Sequence, residues 1–224
     1  MLPPAGFDGS FWRLAGYIDA LDDVVTCVPV DPRGLGGSTR PAEAGGYRVG
    51  ALACDVLAIA DQQGFARFAV WGASLGGAVG MLLAAEYPDR VAGLVLSGMC
   101  PVFDYSELRH TWRYLARLAR EAGDVADAFR HVCDQEGLPA DSWIRRAEQG
   151  DADVVASLLE GLVEYDWDRR VNPSAVTSPT LVVLGDLEDP TAVTAPVVEV
   201  MPRAQRVTLA AVGHVGGPST PSGC

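Results

Sequence analysis

The chain has few basic residues for its length. Among its 224 residues, 17 are lysine or arginine and 29 are aspartate or glutamate, so the formal net charge is −12. Nucleic acids and anionic membranes attract surfaces with an excess of positive charge. The charge balance therefore argues against both as partners, and it leaves the class of substrate open.

The chain also lacks cysteine pairs and a secretory signal. Its five cysteines are scattered, show no Cys-x-x-Cys spacing, and are Cys27, Cys54, Cys100, Cys133 and Cys224. Neither a zinc site nor a disulfide framework is indicated, and a reducing cytoplasm is the simplest location. The first six residues contain no basic group and no apolar core, so we do not expect a signal peptide.

A membrane span is not expected either. Residues 68–85 are uncharged and long enough to cross a bilayer. Four glycines and a serine interrupt this run, however, and the pattern divides at the serine into a short strand and a helix. We therefore predict a buried core segment rather than contact with a membrane.

The middle of that run, residues 72–76, reads Gly-Ala-Ser-Leu-Gly. A serine on a sharp turn between a strand (68–71) and a helix (77–85) is typical of a nucleophile elbow, which exposes the hydroxyl at the end of a sheet. The flanking glycines remove side chains that would collide in so tight a bend. The helix N-terminus behind Ser74 favours negative charge, and Leu75 can offer its backbone N–H to an oxyanion.

Strand and helix patterns alternate along most of the chain. The predicted strands cover residues 24–30, 68–71, 91–97, 180–184 and 206–212. Helical patterns at 50–63 and 77–87 separate the first three of these strands. This alternation predicts an α/β fold, with a mostly parallel sheet flanked by helices.

Residues 104–171 break the alternation, because they show helical periodicity and no convincing strand. Asp104 with Glu107 fits a capping box, and further amphipathic helices are predicted to open at Asp141 and Asp151. We interpret this segment as a helical cap inserted into the sheet domain. The predicted organisation is residues 1–103 for the first part of the core, 104–172 for the cap and 173–224 for the second part of the core.

Four motifs in this order resemble the α/β-hydrolase family. Residues 72–77 look like its nucleophile elbow, and residues 31–38 look like the Asp-x-Arg-Gly-x-Gly-x-Ser segment that commonly follows its fourth strand. Residues 179–190 look like the strand and loop that deliver the catalytic acid, and Gly213-His214 looks like the site of the catalytic histidine. Serine, acid and then histidine is the family's chain order.

A serine nucleophile needs a general base, and the chain offers three histidines. His110 and His131 fall in the helical segment, whereas His214 follows a predicted strand in a glycine-rich loop, where catalytic groups are commonly placed. The acid is less clear. The family spacing points to Glu188, but Asp189 precedes a proline as the family acid often does, so we favour Asp189, then Asp186, then Glu188.

The N-terminal end departs from the family pattern. The family's first two strands are absent, and Gly6-Phe7 resembles the residues that follow its third strand, of which almost nothing remains. The resemblance makes the N–H of Phe7 the second oxyanion donor, beside Leu75. Loss of a central strand would leave two facing rows of unpaired backbone groups. We therefore expect a fragment or altered form of a longer protein, in which either residues 1–6 pair as a stub or the flanking strands close up.

The resemblance implies hydrolysis of a carboxylic ester, lactone or similar small acyl compound through an acyl-enzyme, with no metal or cofactor. The same triad could instead perform C–C bond hydrolysis or perhydrolysis, and a catalytically inactive binding protein is the alternative of another class. Exposed sheet edges would favour a homo-oligomer. The aromatic residues that could line the pocket, or simply pack the cap, are Tyr105, Trp112, Trp143 and Trp167.

Overall fold

The computed structural model describes residues 1–99, 105–136, 150–188 and 197–214. The strands are β1 (Phe68–Ala73), β2 (Val91–Ser97), β3 (Thr180–Gly185) and β4 (Ala204–Leu209). The helices before β2 are α1 (Ser10–Leu14), α2 (Tyr17–Leu21), α3 (Val49–Gln62) and α4 (Leu75–Glu86). The helices after β2 are α5 (Ser106–Ala122), α6 (Val125–Glu136), α7 (Ala152–Glu164), α8 (Trp167–Arg170) and α9 (Val197–Val200).

The four strands form one parallel sheet in the order β1-β2-β3-β4. Successive side chains of a strand point to opposite faces, so β1 contributes to two separate clusters. Val70 joins the main core with α3 and α4, whereas Trp71 and Ala73 pack with α1 and α2 through Trp12 and Ile18. The predicted class, a parallel sheet flanked by helices, is confirmed.

The N-terminal residues fill part of a strand position beside β1. The Leu2 N–H donates to the Trp71 carbonyl at 2.8 Å, and the Leu2 carbonyl accepts from the Ala73 N–H at 3.0 Å. On the other side, the Met1 amino group donates to the Val28 carbonyl at 2.7 Å, and the Met1 carbonyl accepts from the Val30 N–H at 3.0 Å. A stub two residues long therefore joins β1 to the segment that ends at Val30.

The predicted strand at residues 24–30 is not a regular strand. Residues 26–30 have no regular secondary structure, and Val24 is 77% exposed. A strand needs a partner along its length, and the stub offers this segment the backbone groups of Met1 alone. The last strand also differs from its prediction, since β4 covers Ala204–Leu209 and residues 210–211 form a turn.

The run predicted to be core is buried. All residues of α4 from Leu75 to Ala84 are buried, as is typical of a helix packed between other elements. This helix contacts β1, β2 and α3. Within the described ranges, no helix has the length and apolar character required to cross a membrane.

The described residues between β2 and β3 form helices. Helix α7 packs along α5 and also contacts α3 and α4. Asp151 caps α7 by accepting the Val154 N–H at 3.1 Å, at the helix start that the sequence predicts. Helix α5 begins at Ser106, while the predicted helix starts at Asp104 and Asp141 lie outside the described residues.

The aromatic residues of this segment pack on one another. The rings of Tyr105 and Trp167 stack with their centroids 5.2 Å apart, and Trp112 lies 6.1 Å from Trp167. Tyr105 and Trp167 are fully buried, and the Trp167 indole donates to the Leu162 carbonyl at 2.8 Å. Their geometry is that of internal packing, the second of the two roles expected for them. Trp143 lies outside the described residues.

Candidate active site

Ser74 lies at the joint between β1 and α4 with φ 47° and ψ −111°. A positive φ is strained for a residue other than glycine, and such strain is common at functional sites. The neighbouring glycines allow the bend. A Cβ at Gly72 would overlap the Gly76 carbonyl, and a Cβ at Gly76 would overlap the Leu2 carbonyl. The predicted strand-turn-helix context of the serine is therefore present.

The backbone around Ser74 fixes the direction of its side chain. The Ser74 N–H donates to the Ser97 carbonyl at the end of β2, at 2.9 Å, and its carbonyl accepts from Ala78 in α4 at 3.1 Å. Leu75 is the first residue of α4 and is buried. The first N–H groups of a helix have no partner within the helix, and they carry the positive end of its dipole. The Leu75 N–H therefore belongs to a local environment that favours an anion.

His214 lies between the serine and an acidic side chain. Its Nε2 is 3.0 Å from the Ser74 hydroxyl oxygen, and its Nδ1 is 3.3 Å from Oε2 of Glu188. With the proton on Nδ1, the imidazole donates to Glu188 and accepts from the serine hydroxyl. The His214 side chain is 32% exposed, whereas that of Glu188 is 5% exposed. This is the arrangement that a general base and its orienting acid require.

The position of Glu188 follows from the loop after β3. The Glu188 Oε1 accepts the Gly185 N–H at 2.7 Å, which leaves Oε2 for the imidazole. The loop is held to the segment after β4, because Leu187 donates to the Val212 carbonyl at 3.0 Å. Two residues after Val212, the chain reaches His214. The same backbone pairing therefore brings the acid and the histidine together.

Of the two aspartates that were preferred to Glu188, the structure describes Asp186 but not Asp189. Asp186 accepts the Val212 N–H on Oδ1 at 3.4 Å, a contact that supports the loop. Asp189 lies outside the described residues. Of the two candidate acids within the described residues, Asp186 and Glu188, the structure brings Glu188 to His214. The sequence placed Glu188 third in order of preference, and sequence spacing does not reveal the turn formed by residues 186–187 that positions its side chain.

Phe7, the second predicted oxyanion donor, is buried, and its backbone N–H already has a hydrogen-bond partner. Its N–H donates to the Pro4 carbonyl at 3.2 Å across a turn in which Gly6 has φ 86°. The loop is fastened by Asp31, whose carboxylate accepts the N–H groups of Gly9 and Gly37, each at 2.8 Å. These two contacts hold the loop that contains Gly9 against the segment of residues 31–38.

The sequence reasoning missed one residue of the site, Gly98. It directly follows β2, has φ 58° and lies against the imidazole of His214. A Cβ there would be 3.2 Å from Nδ1 of His214. The signal available in the sequence was a glycine immediately after a predicted strand, next to the elbow strand. The other described histidine with a ring contact, His131, packs on Tyr114 at 4.8 Å.

Comparison with known proteins identifies the family of the chain. The family model of the alpha/beta hydrolase fold matches residues 2–216. The chain belongs to the α/β-hydrolase fold family. This confirms the resemblance drawn from the four motifs and supports assignment of the chain as a hydrolase.

Three α/β-hydrolase relatives illustrate the range of the family. The 3-oxoadipate enol-lactonase 2 of Acinetobacter baylyi is 29% identical over 193 residues, which are 83% of this chain and 68% of the relative. A Variovorax paradoxus protein provisionally named carbamate hydrolase RutD is 38% identical over 210 residues, covering 81% and 71%. The crystal structure of the enol-lactonase from Burkholderia xenovorans LB400 superposes with a TM-score of 0.73 at 25% identity, covering 93% and 80%.

A cavity of about 540 Å³ is lined on one side by Leu75 and Gly76 in the first turn of α4. Ser74, His214 and Glu188 are not among the residues that line it. Its walls include Leu2, Leu75 and the ion pair of Arg33 with Asp55. The hydrogen bonds that Arg33 donates to the Asp55 carboxylate raise the pKa of the guanidinium above its usual value. No group of three or more His, Cys, Asp or Glu side chains within the described ranges is arranged to hold a metal ion.

Proposed function

We propose that the chain is a serine hydrolase that cleaves a carboxylic ester or lactone, with Ser74 as nucleophile, His214 as general base and Glu188 as the orienting acid. The observation that carries this proposal is the continuous contact from the buried Glu188 carboxylate through His214 to the Ser74 hydroxyl. The positive φ of Ser74 and the helix that starts behind it support the same role.

The first half of the reaction follows from these positions. His214 Nε2 takes the proton of the Ser74 hydroxyl as its oxygen bonds to the substrate carbonyl carbon. Negative charge develops on the carbonyl oxygen, where the Leu75 N–H donates a hydrogen bond. Glu188 stabilises the imidazolium. The C–O bond to the alcohol then breaks, and the departing oxygen takes the proton from His214, which leaves an acyl group on Ser74.

The second half repeats these steps with water. His214 removes a proton from water as its oxygen attacks the acyl carbon, and the proton then returns to the Ser74 oxygen as the acid is released. We propose Phe7 as the second oxyanion donor. Its N–H bond to Pro4 is long for an N–H···O bond, and a negatively charged oxygen is a stronger acceptor than a neutral carbonyl.

The substrate class rests on the relatives as well as on the site. Two of the compared proteins are named as enol-lactonases, and a lactone is an intramolecular ester that this serine mechanism opens. The alcohol oxygen of a lactone stays attached to the acyl part, so the acyl-enzyme retains both halves until water releases it. We therefore propose small lactones and esters as the first compounds to screen.

The test is labelling with a fluorophosphonate, which forms a stable bond with an activated serine, followed by intact-mass measurement. We expect one adduct on the unaltered chain and none on Ser74→Ala. The exposed Ser10 provides a matched control, because Ser10→Ala removes a hydroxyl far along the chain and should leave the adduct in place. Hydrolysis of p-nitrophenyl acetate and of δ-valerolactone should fall by about 10⁴-fold or more in Ser74→Ala.

Two results would contradict the proposal. An unaltered, folded chain that takes up no fluorophosphonate would favour a binding protein without catalysis. An adduct that persists in Ser74→Ala would place the reactive group elsewhere. The chain could instead hydrolyse a carbon–carbon bond or react with peroxide, and lose that activity in Ser74→Ala. The roles of the three residues would then remain, and the proposed reaction would change.

A further inference from the structure

Gly98 connects the nucleophile to the base through the end of β2. The preceding residue, Ser97, accepts the Ser74 N–H on its carbonyl at 2.9 Å, while the Gly98 N–H donates to Val183 in β3 at 3.0 Å. These bonds hold the peptide between Ser97 and Gly98 in the sheet. The Gly98 Cα then faces the ring of His214, which sits in a loop after β4.

The space above Gly98 is filled by the reacting groups. A Cβ at this position would lie 3.2 Å from Nδ1 and 3.3 Å from Cε1 of His214, and 3.8 Å from Oε2 of Glu188. The first two distances are shorter than ordinary van der Waals contact, and the third is an ordinary contact. A methyl group at residue 98 would therefore press on the imidazole and much less on the acid.

One side of this contact is fixed and the other can move. Gly98 is held by the sheet, whereas His214 is 32% exposed in its side chain and follows a turn at residues 210–211. The imidazole would therefore move by a few tenths of an ångström. Its contact with Glu188 is already 3.3 Å long, near the upper limit of an N–H···O bond, so little movement is tolerated.

We propose that Gly98 is a positioning residue for the reaction, and that the absence of a side chain there sets the distance between His214 and its two partners. This inference rests on the proposed function, because it assigns Gly98 a role through His214. A larger residue leaves substrate binding unchanged and lowers the rate of the proton transfer. For a displacement of this size we expect a 10–100-fold lower kcat with little change in KM.

The chain offers a matched control in Gly123, the residue that ends α5. Gly98 has φ 58° and Gly123 has φ 66°, so alanine meets the same backbone strain at both positions. A Cβ at Gly123 would have no neighbour within 4 Å. The two alanine variants therefore share the strain, and the contact with His214 distinguishes them.

The experiment compares Gly98→Ala and Gly123→Ala with the unaltered chain. We measure kcat, KM, the rate of fluorophosphonate labelling, the unfolding temperature and the low-field proton resonance of the His214 Nδ1–H. The expected result for Gly98→Ala is a 10–100-fold loss in kcat and in labelling rate, with KM within about 3-fold and the resonance moved upfield. Gly123→Ala should lose thermal stability to a similar extent as Gly98→Ala and should keep the other four properties unchanged.

Three outcomes would overturn the inference. Equal kcat values for the two variants would show that the contact is harmless. A higher KM with an unchanged kcat would mean that residue 98 affects substrate binding instead of the proton transfer. A Gly98→Ala chain that no longer folds, beside a folded Gly123→Ala, would show that the sheet yields instead of the histidine. Failure of the proposed function is separate, since the unaltered chain would then take up no label.

Discussion

One carboxylate of the candidate active site, that of Glu188, is almost completely buried. Glu188 is 5% exposed, and each of its oxygens has a partner, the Gly185 N–H on one and the His214 ring on the other. A buried anion without such partners would be strongly unfavourable. These two contacts hold the carboxylate in one orientation beside the imidazole of His214.

Replacement of this acid by its amide should expose its role. Glu188→Gln keeps the size of the side chain and removes the charge that stabilises the imidazolium, so we expect kcat to fall by about 10²–10⁴-fold. Asp186→Asn and Asp189→Asn should each retain kcat within about 3-fold. The measurement is steady-state hydrolysis of p-nitrophenyl acetate by the three variants at one pH. A larger loss in either aspartate variant would transfer the role to that residue.

Ser74 and His214, which the structure places in contact, could be selected from the sequence, whereas the acid that contacts His214 could not be singled out. Ser74 and His214 are recognisable because each directly follows a strand pattern and stands among glycines. Three carboxylates within residues 186–189 share the same local pattern, and the turn that points one of them inward depends on hydrogen bonds to residues after β4. Such contacts between distant parts of the chain are not visible in local spacing.

At the scale of elements, α4 packs closely against the N-terminal stub. Gly76 in the first turn of α4 lies against the backbone of Leu2, so closely that a Cβ would overlap the Leu2 carbonyl. The same carbonyl accepts the Ala73 N–H at 3.0 Å, one residue before Ser74. The stub, the end of β1 and the start of α4 are therefore one packed unit.

Alanine substitutions at two helical glycines should distinguish the effect of this close packing on stability from the effect of helix propensity. Gly76→Ala should lower the free energy of unfolding by about 2–3 kcal/mol, because the Leu2 backbone cannot move without losing its bonds to β1. Gly50 in α3 has no atom within 4 Å of a Cβ, so Gly50→Ala should raise it by about 0.5–1 kcal/mol. Urea unfolding of both variants measures these changes. Equal effects of the same sign would mean that the stub does not pack as described.

The elements with both a strong pattern and a full set of neighbours were predicted well. The helix predicted at 50–63 is Val49–Gln62, and the strand predicted at 91–97 is Val91–Ser97. The β-branched pattern at 24–30 does not form a regular strand, because the stub beside it offers hydrogen-bonding partners at Met1 alone. Strand propensity depends on a partner, and a pattern cannot report how long that partner is.

On the scale of the whole molecule, the stub connects the sheet to the segment ending at Val30 through the backbone of Met1 and Leu2. Of the two arrangements expected for the missing strand, the pairing of N-terminal residues as a stub is the one observed. The arrangement has an electrostatic cost. Burial lowers the pKa of the Met1 amino group from 8.0 to about 6, because the charged form is poorly solvated there.

This shift makes the stability of the chain that begins at Met1 depend on pH. Above pH 8 the amine is neutral in both states, and the folded state has its full stability. As the pH falls from 8 to 6, the unfolded chain takes up the proton first, so the free energy of unfolding falls by about 1.4 kcal/mol per pH unit. Below pH 6 both states are protonated and this contribution becomes constant.

Urea unfolding at pH 5.5 and pH 8.5 measures this dependence. The control is the same chain with an acetylated N-terminus, which has no titrating amine and reports every other group in that pH range. The difference between the two chains isolates Met1. An identical pH dependence for both would show that the amino group is as well solvated in the folded state as in the unfolded one.

The enclosed amine also has a consequence for covalent chemistry. The sequence contains no lysine, since all 17 of its basic side chains are arginine, so the Met1 α-amino group is its sole primary amine. With a pKa of about 6 this group is mostly neutral, and therefore nucleophilic, at pH 7.5. Its reaction in a reductive methylation, which is selective for amines, is then limited by access. Reductive methylation thus has a single amine to modify, and its rate reports how often the N-terminal stub leaves the sheet.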